Sequence, residues 1–285
     1  MKRALFHIAA ALVVLVPGTA IPQPPATDRS DPFGLSGSPG QGAILTGQAP
    51  DGTVALLLDE VPVPVAEDGR FLIAFDRDAP PLARLQARLY DGRTVNQRLS
   101  ISPREWHLER IDAPLRPTRD NDKFLALRRP ELDAIAAARR IGTDAQGWRQ
   151  PFIWPRIGRI SGLFGSQRIY QGKPGAYHSG VDVAGPTGAT VVAPADGVVI
   201  LAAADKPFTL EGHLLMIDHG HGLNSAFLHL SRIDVKVGDH VRQGQAIGAI
   251  GSTGRATGPH LHWGMKWNEA RIDPLLLAGP MPNGR

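Results

Sequence analysis

From residue 43 onward, apolar residues come in short bursts rather than in long amphipathic stretches. Ala43–Leu45, Val54–Leu58, Val61–Val65, Phe71–Phe75 and Leu85–Tyr90 are strand-length runs, and Asp51-Gly52, Asp68-Gly69 and Asp91-Gly92 punctuate them. Asp-Gly favours the positive-φ positions of hairpin turns, so residues 43–103 are expected to form a small β-sandwich-like domain. The texture changes between 104 and 150, where eighteen of the first 46 residues are charged. There Pro130-Glu131, then Leu132, Ile135 and an alanine-rich run to Arg139-Arg140, predict a short helix with proline in its first turn and arginines in its last. We read this segment as a charged, solvated helical connector, because a charge run usually marks a wet surface. From 151 to 285 the β texture returns. Thr190–Val192, Val198–Leu201, Leu214–Ile217, Ala226–Leu230 and Ala246–Ile250 alternate with glycine-containing turns. The predicted class is all-β, with a two-sheet C-terminal domain.

The beginning of the chain follows other rules. Lys2 and Arg3 precede the apolar run Ile8–Val16, which Pro17-Gly18 ends, and Gly18-Thr19-Ala20 offers small residues for cleavage. This is the form of a signal peptide over residues 1–20, too short for a bilayer anchor, and it predicts export to the periplasm. Residues 21–42, with five prolines, read as a mobile linker.

Composition narrows the chemistry. The 285 residues include no cysteine and ten histidines, eight of them between His178 and His262. Thiolate catalysis, disulfides and cysteine-based zinc sites are excluded, so a transition metal would need imidazole and carboxylate. The net charge of +4 is spread along the chain, −3 over residues 21–103 and +3 over 151–285. No basic stripe with interleaved aromatics supports nucleic-acid binding.

Two motifs carry the candidate chemistry, His178-Ser179-Gly180-Val181-Asp182 and His260-Leu261-His262. On a strand, 178, 180 and 182 share one face, as do 260 and 262, while Leu261 and Trp263 face the core. A catalytic zinc site takes three protein ligands and leaves a position for a water whose pKa it lowers. His178, Asp182 and one histidine of the 260/262 pair would suffice, and spacing does not choose between the two. The other histidine of the pair and His229 remain as acid–base and oxyanion candidates. His219, His221 and His240 sit in turn sequences and read as solvated.

In order along the chain stand Phe164-Gly165, His178–Asp182, Ala184-Gly185-Pro186-Thr187-Gly188, Ala193–Gly197, Ile217–Gly220, His229-Leu230-Ser231 and Gly251–His262. Over these hundred or so residues the chain resembles the lysostaphin/LytM-type zinc metallopeptidases, which cleave peptide bonds in bacterial peptidoglycan. The resemblance implies a C-terminal β domain of the duplicated hybrid motif type. It implies zinc held by His178, Asp182 and His262, with His260 as the base for a metal-activated water and His229 stabilising the oxyanion. The implied substrate is a peptidoglycan stem peptide or cross-link, with cell-wall or division proteins as partners of the N-terminal domain. Relatives that have lost ligands act as non-catalytic activators of cell-wall amidases, the competing reading, but every ligand position is filled here. Two positions depart from the family pattern. Phe227 stands where tyrosine is common, which removes a hydroxyl near the site, and His213 replaces an asparagine at the rim.

Overall fold

The computed structural model describes residues 31–115 and 122–282. The signal-peptide reading of residues 1–20 lies outside the described residues. Among the described residues no helix is long and apolar enough to cross a membrane.

The first six strands form the N-terminal β unit. They are β1 (Ile44–Gln48), β2 (Thr53–Leu58), β3 (Val61–Val63), β4 (Arg70–Ala74), β5 (Leu82–Leu89) and β6 (Thr94–Ser100). β1 pairs β4, and β3-β2-β5-β6 make a four-stranded antiparallel sheet. The alternating burial of β5 turns Ala83, Leu85 and Ala87 inward against Phe71 and Ile73. β6 was not expected from sequence, because its sequence, TVNQRLS, is mostly polar and one of its two faces is open to water. Residues 31–42 correct the linker reading. Phe33 is fully buried and meets Phe71 edge-on at 6.2 Å, and its carbonyl accepts from Gln48 N–H at 2.7 Å. One aromatic anchor ties this proline-rich stretch to the sheet.

β7 (Leu108–Ile111) follows, then α1 (Asp122–Arg139). The helix starts eight residues before the predicted proline start, and Pro130 sits in its interior. Pro130 lies on the exposed side, as does Ala126, whose carbonyl it leaves unpaired, so water can satisfy that group. The inner side is not merely wet. Ala138 is buried, and Ala134 and Ile135 pack with it against Ile200, Leu214 and Met216. Arg128 donates to both oxygens of Glu211 at 2.6 and 2.7 Å, and Glu131 accepts from Thr209 N–H and Oγ1.

The remaining strands are β8 (Ile160–Gly162), β9 (Gln167–Tyr170), β10 (Lys173–Tyr177), β11 (Val181–Ala184), β12 (Thr190–Val192), β13 (Gly197–Ala202), β14 (His213–Asp218), β15 (Leu223–Leu230), β16 (Arg232–Ile233), β17 (His240–Val241), β18 (Ala246–Ala249), β19 (His260–Trp267) and β20 (Ala270–Ile272). A short helix, α2 (Pro274–Ala278), closes the set. The main sheet has eight strands, in the order β17-β13-β14-β15-β19-β11-β8, with β20 added beside β19. A three-stranded sheet, β12-β18-β16, carries the buried Val191, Ile247 and Ala249. Trp154 packs edge-on against Trp263 at 5.7 Å, and Trp263 is fully buried. β7 adds in parallel to β9, so the segment before the helix is stitched to the hairpin that leads into His178.

Candidate metal centre

The site lies on one face of the main sheet. Across β8, β11, β19 and β15 the paired positions are Gly162, Asp182, His262 and Leu228. Antiparallel partners bring their side chains within about 5 Å of each other, so Asp182 and His262 meet by register alone. In β19 the burial alternates. Leu261, Trp263 and Met265 point into the core, while His260, His262 and Gly264 face the groove.

His178 arrives differently from the sequence expectation, since β11 begins only at Val181 and residues 178–180 are not strand. Backbone bonds place it instead: His178 N–H donates to Ser166 O, and its carbonyl accepts from Gly165 N–H, both at 2.8 Å. The space beside it is not empty. A Cβ on Gly180 would lie 2.7 Å from His262 Nε2 and 2.5 Å from Trp263 O. A Cβ on Gly162 would lie 2.5 Å from Asp182 Oδ2. These two glycines make the room that the ligand side chains occupy.

Three electron-pair donors converge. His178 Nε2 and His262 Nδ1 stand 3.0 and 2.9 Å from Asp182 Oδ1, and 3.0 Å from each other. His178 Nδ1–H donates to Leu163 O at 3.0 Å, which leaves Nε2 to face the cluster. Burial lowers the His178 pKa, but the facing Asp182 carboxylate outweighs it, and the ring ends above the ordinary histidine value. Burial pushes Asp182 up, yet its bonds to both rings hold it well below the usual carboxylate range. Burial dominates at His262 and lowers it. Two imidazole nitrogens and an anionic oxygen held this closely favour a cation among them, and the donor set is one that could hold a metal ion.

His260 and His229 border this triad. His260 Nε2 is 3.8 Å from Asp182 Oδ1, and its Nδ1–H donates to Gly258 O at 2.8 Å. The His229 ring is 4.9 Å from that of His260, and its Nδ1–H donates to Thr253 O at 2.9 Å. Strict alternation in β15 would turn His229 toward the core beside Phe227. A left-handed φ of 63° at His229, with a shift of register against β14, turns it to the groove. Backbone carbonyls thus hold Nδ1 of His178, His229 and His260, and each ring turns its Nε2 away from that carbonyl. Burial is the main cause of the lowered His229 pKa. Donation to an oxyanion from this ring therefore requires a second proton.

Sequence reasoning missed the supporting residues Leu163 and Thr253, which act through their carbonyls and leave no side-chain signature. It also misplaced two residues. Phe227 is fully buried in the core, opposite Trp263 in the register, so the missing hydroxyl is not at the site. His219 is fully buried rather than solvated. Its Nδ1–H donates to Asp196 O, and its Nε2 meets Ser225 Oγ, both at 2.8 Å. At the rim, His213 N–H donates to Thr253 Oγ1 at 2.9 Å and so props the residue that holds His229.

Comparison with known proteins matches part of the chain to a peptidase family. The profile of peptidase family M23 matches residues 176–274. The DD-carboxypeptidase/endopeptidase Mpg of Neisseria meningitidis is 40% identical over 105 residues, which are 37% of this chain and 24% of that protein. The peptidoglycan DD-endopeptidase ShyA of Vibrio cholerae is 43% identical over 106 residues, again 37% of this chain and 24% of that protein. The chain thus spans about a quarter of the length of these curated relatives. A crystal structure assigned to peptidase M23 from Pseudomonas aeruginosa superposes with a TM-score of 0.65 at 29% identity, covering 85% of this chain and 96% of that one. Over residues 176–274 the chain is therefore similar to peptidase family M23, and its fold is similar to that of the M23 structure.

Proposed function

We propose that this protein is an exported zinc metalloendopeptidase that hydrolyses peptide bonds in the stem peptides or cross-links of bacterial peptidoglycan. The observation that carries this reading is the convergence of His178, Asp182 and His262 within 3.0 Å, with two further histidines on the same groove face. His178 Nε2, His262 Nδ1 and Asp182 Oδ1 would hold the ion. A divalent cation bound there supplies Lewis-acid polarisation of the scissile carbonyl and makes water more acidic. His260 presents Nε2 at the edge of the triad, with Nδ1 held by the Gly258 carbonyl, and is placed to accept a proton there. His229, when doubly protonated, can donate to an oxyanion beside it. The register of β11 against β19 holds His260 and the bulge in β15 holds His229 before substrate arrives, so little reorganisation is needed. The names of the relatives Mpg and ShyA support peptide bonds of peptidoglycan as the substrate class. The periplasm is the compartment that this substrate and the residue 1–20 segment both call for.

The test is digestion of purified sacculi by the full chain, with products identified by mass and bound metal measured in parallel. Release of muropeptides that stops with a chelator, returns with zinc and is absent from His178→Ala is the expected result. Wild-type protein that binds no zinc, cuts nothing and stimulates a cell-wall amidase would overturn it in favour of the activator reading. Cleavage that survives in His178→Ala would overturn the metal assignment.

A further inference from the structure

A cleft of about 250 Å³ lies between α1 and the groove face of the main sheet, and His262 is part of its wall. The other ionisable side chains lining it are Arg128, Arg139, Lys266, Arg271 and Glu211, four cations against one carboxylate. Two of the cations are already paired. Arg128 holds Glu211 through two bonds, and Lys266 Nζ lies 2.6 Å from Glu269. The other two make no direct ion pair among the described residues, although Glu269 acts on both through space. Arg271 donates Nη1 to the Tyr177 hydroxyl at 3.2 Å, a neutral acceptor. Arg139 has less: its Nε is buried and meets no hydrogen-bond acceptor. Burial lowers the Arg139 pKa and the like charge of Arg271 lowers it further, only partly offset by the more distant carboxylates of Glu269 and Glu211. A half-buried guanidinium with a buried, unused Nε–H and a second cation nearby is unfavourable by itself. An entering carboxylate removes both penalties, since its two oxygens match the planar fork of an arginine.

We propose that Arg139, assisted by Arg271, is a subsite for a free carboxylate of the bound peptide, in the same cleft that presents His262. The identity of the peptide rests on the peptidoglycan reading above. Stem peptides carry such carboxylates at their C-terminus and on branch residues, and the subsite selects substrates in which that group is free. Arg139 ends α1 and lies outside residues 176–274, whereas Arg271 lies within them, so the subsite joins the connector to the matched domain.

The experiment uses the full chain loaded with zinc and a synthetic stem tetrapeptide in three forms: free acid, C-terminal amide and branch-carboxyl amide. Binding is measured by calorimetry and cleavage of sacculi is followed separately. Wild-type protein is expected to bind the free acid 10- to 100-fold more tightly than one of the two amides, and which amide loses affinity identifies the carboxylate. Arg139→Met is expected to lose that factor for the free acid and to bind the affected amide as wild type does. Arg271→Gln, on an exposed side chain, is expected to lose part of the preference and supplies the answer if Arg139→Met does not fold. Free acid and both amides binding wild type equally, no binding of the free acid, or a variant that weakens acid and amide alike would overturn the subsite. Carboxylate-dependent binding without cleavage of sacculi sinks the peptidase reading and leaves the subsite standing. Cleavage without discrimination sinks the subsite alone.

Discussion

Acidification is expected to destabilise this fold through His219. The ring is fully buried between the Asp196 carbonyl and the Ser225 hydroxyl, with Phe152 edge-on at 5.0 Å. Burial lowers its pKa from 6.5 to about 4, outweighing the backbone bond to Asp196 and the charge of that residue, which both favour the imidazolium. In the unfolded chain the ring takes up a proton as the pH falls through 6.5, while in the folded protein it does not until about 4. The unfolded state therefore binds more protons in that window, and stability is complete above 6.5 and lost progressively toward 4. A shift of about 2.5 units corresponds to roughly 3 kcal/mol in the limit, and about 2.5 kcal/mol is gone by about pH 4.5. Carboxylates such as Asp182 also lose stabilising interactions in acid, so the assay must isolate residue 219. Urea unfolding of wild type and His219→Gln, each from pH 7.5 to 4.5, does so by difference. The glutamine variant is expected to be less stable at neutral pH, and the gap should close as the pH falls. A gap that stays constant within about 0.5 kcal/mol across this range would refute the buried neutral ring, since one unit of pKa shift alone exceeds that.

Other substitutions probe separate parts of the structure. Gly180→Ala places a methyl group against His262 Nε2 and Trp263 O, and is expected to weaken zinc binding at least about tenfold, read by competition with a chromophoric chelator. Affinity within twofold of wild type would show that the ring does not need that space. Phe227→Tyr buries a hydroxyl in the core and is expected to cost about 1–3 kcal/mol in urea unfolding, with kcat/KM unaltered. A change in turnover without a change in stability would place residue 227 at the site after all. Arg128→Ala and Glu211→Ala in a double-mutant cycle are expected to couple by about 1–3 kcal/mol, given two short bonds between mostly buried groups. Coupling near zero would mean that α1 is not fastened to the sheet through this pair.

What could be read from sequence follows the reach of each rule. The alternation of His260, Leu261, His262 and Trp263 is a property of a strand with itself, and β19 obeys it. The strand runs of both β regions and their Asp-Gly turns were legible for the same reason. Features set by distant partners were not. His178 is placed by Ser166 and Leu163, His229 by a bulge and the Thr253 carbonyl, and Phe33 by Phe71. His219 stands between Asp218 and Gly220, neighbours that spell a solvated turn, yet the segment containing Trp148 and Phe152 covers it. The charges of α1 look like wet surface until Glu211 and Thr209, about 80 residues on, supply partners for Arg128 and Glu131.

The pairing of β11 with β19 also orders events in time. Asp182 and His262 are separated by 80 residues and become neighbours only when β19 slots between β11 and β15. Contacts so far apart along the chain form slowly, because the loop between them must first be closed. Closing the central sheet and gathering the three donors are therefore one step. A partly synthesised or partly folded chain holds the early histidine and aspartate without their late partner, and the three-donor cluster comes into being only as the protein finishes folding.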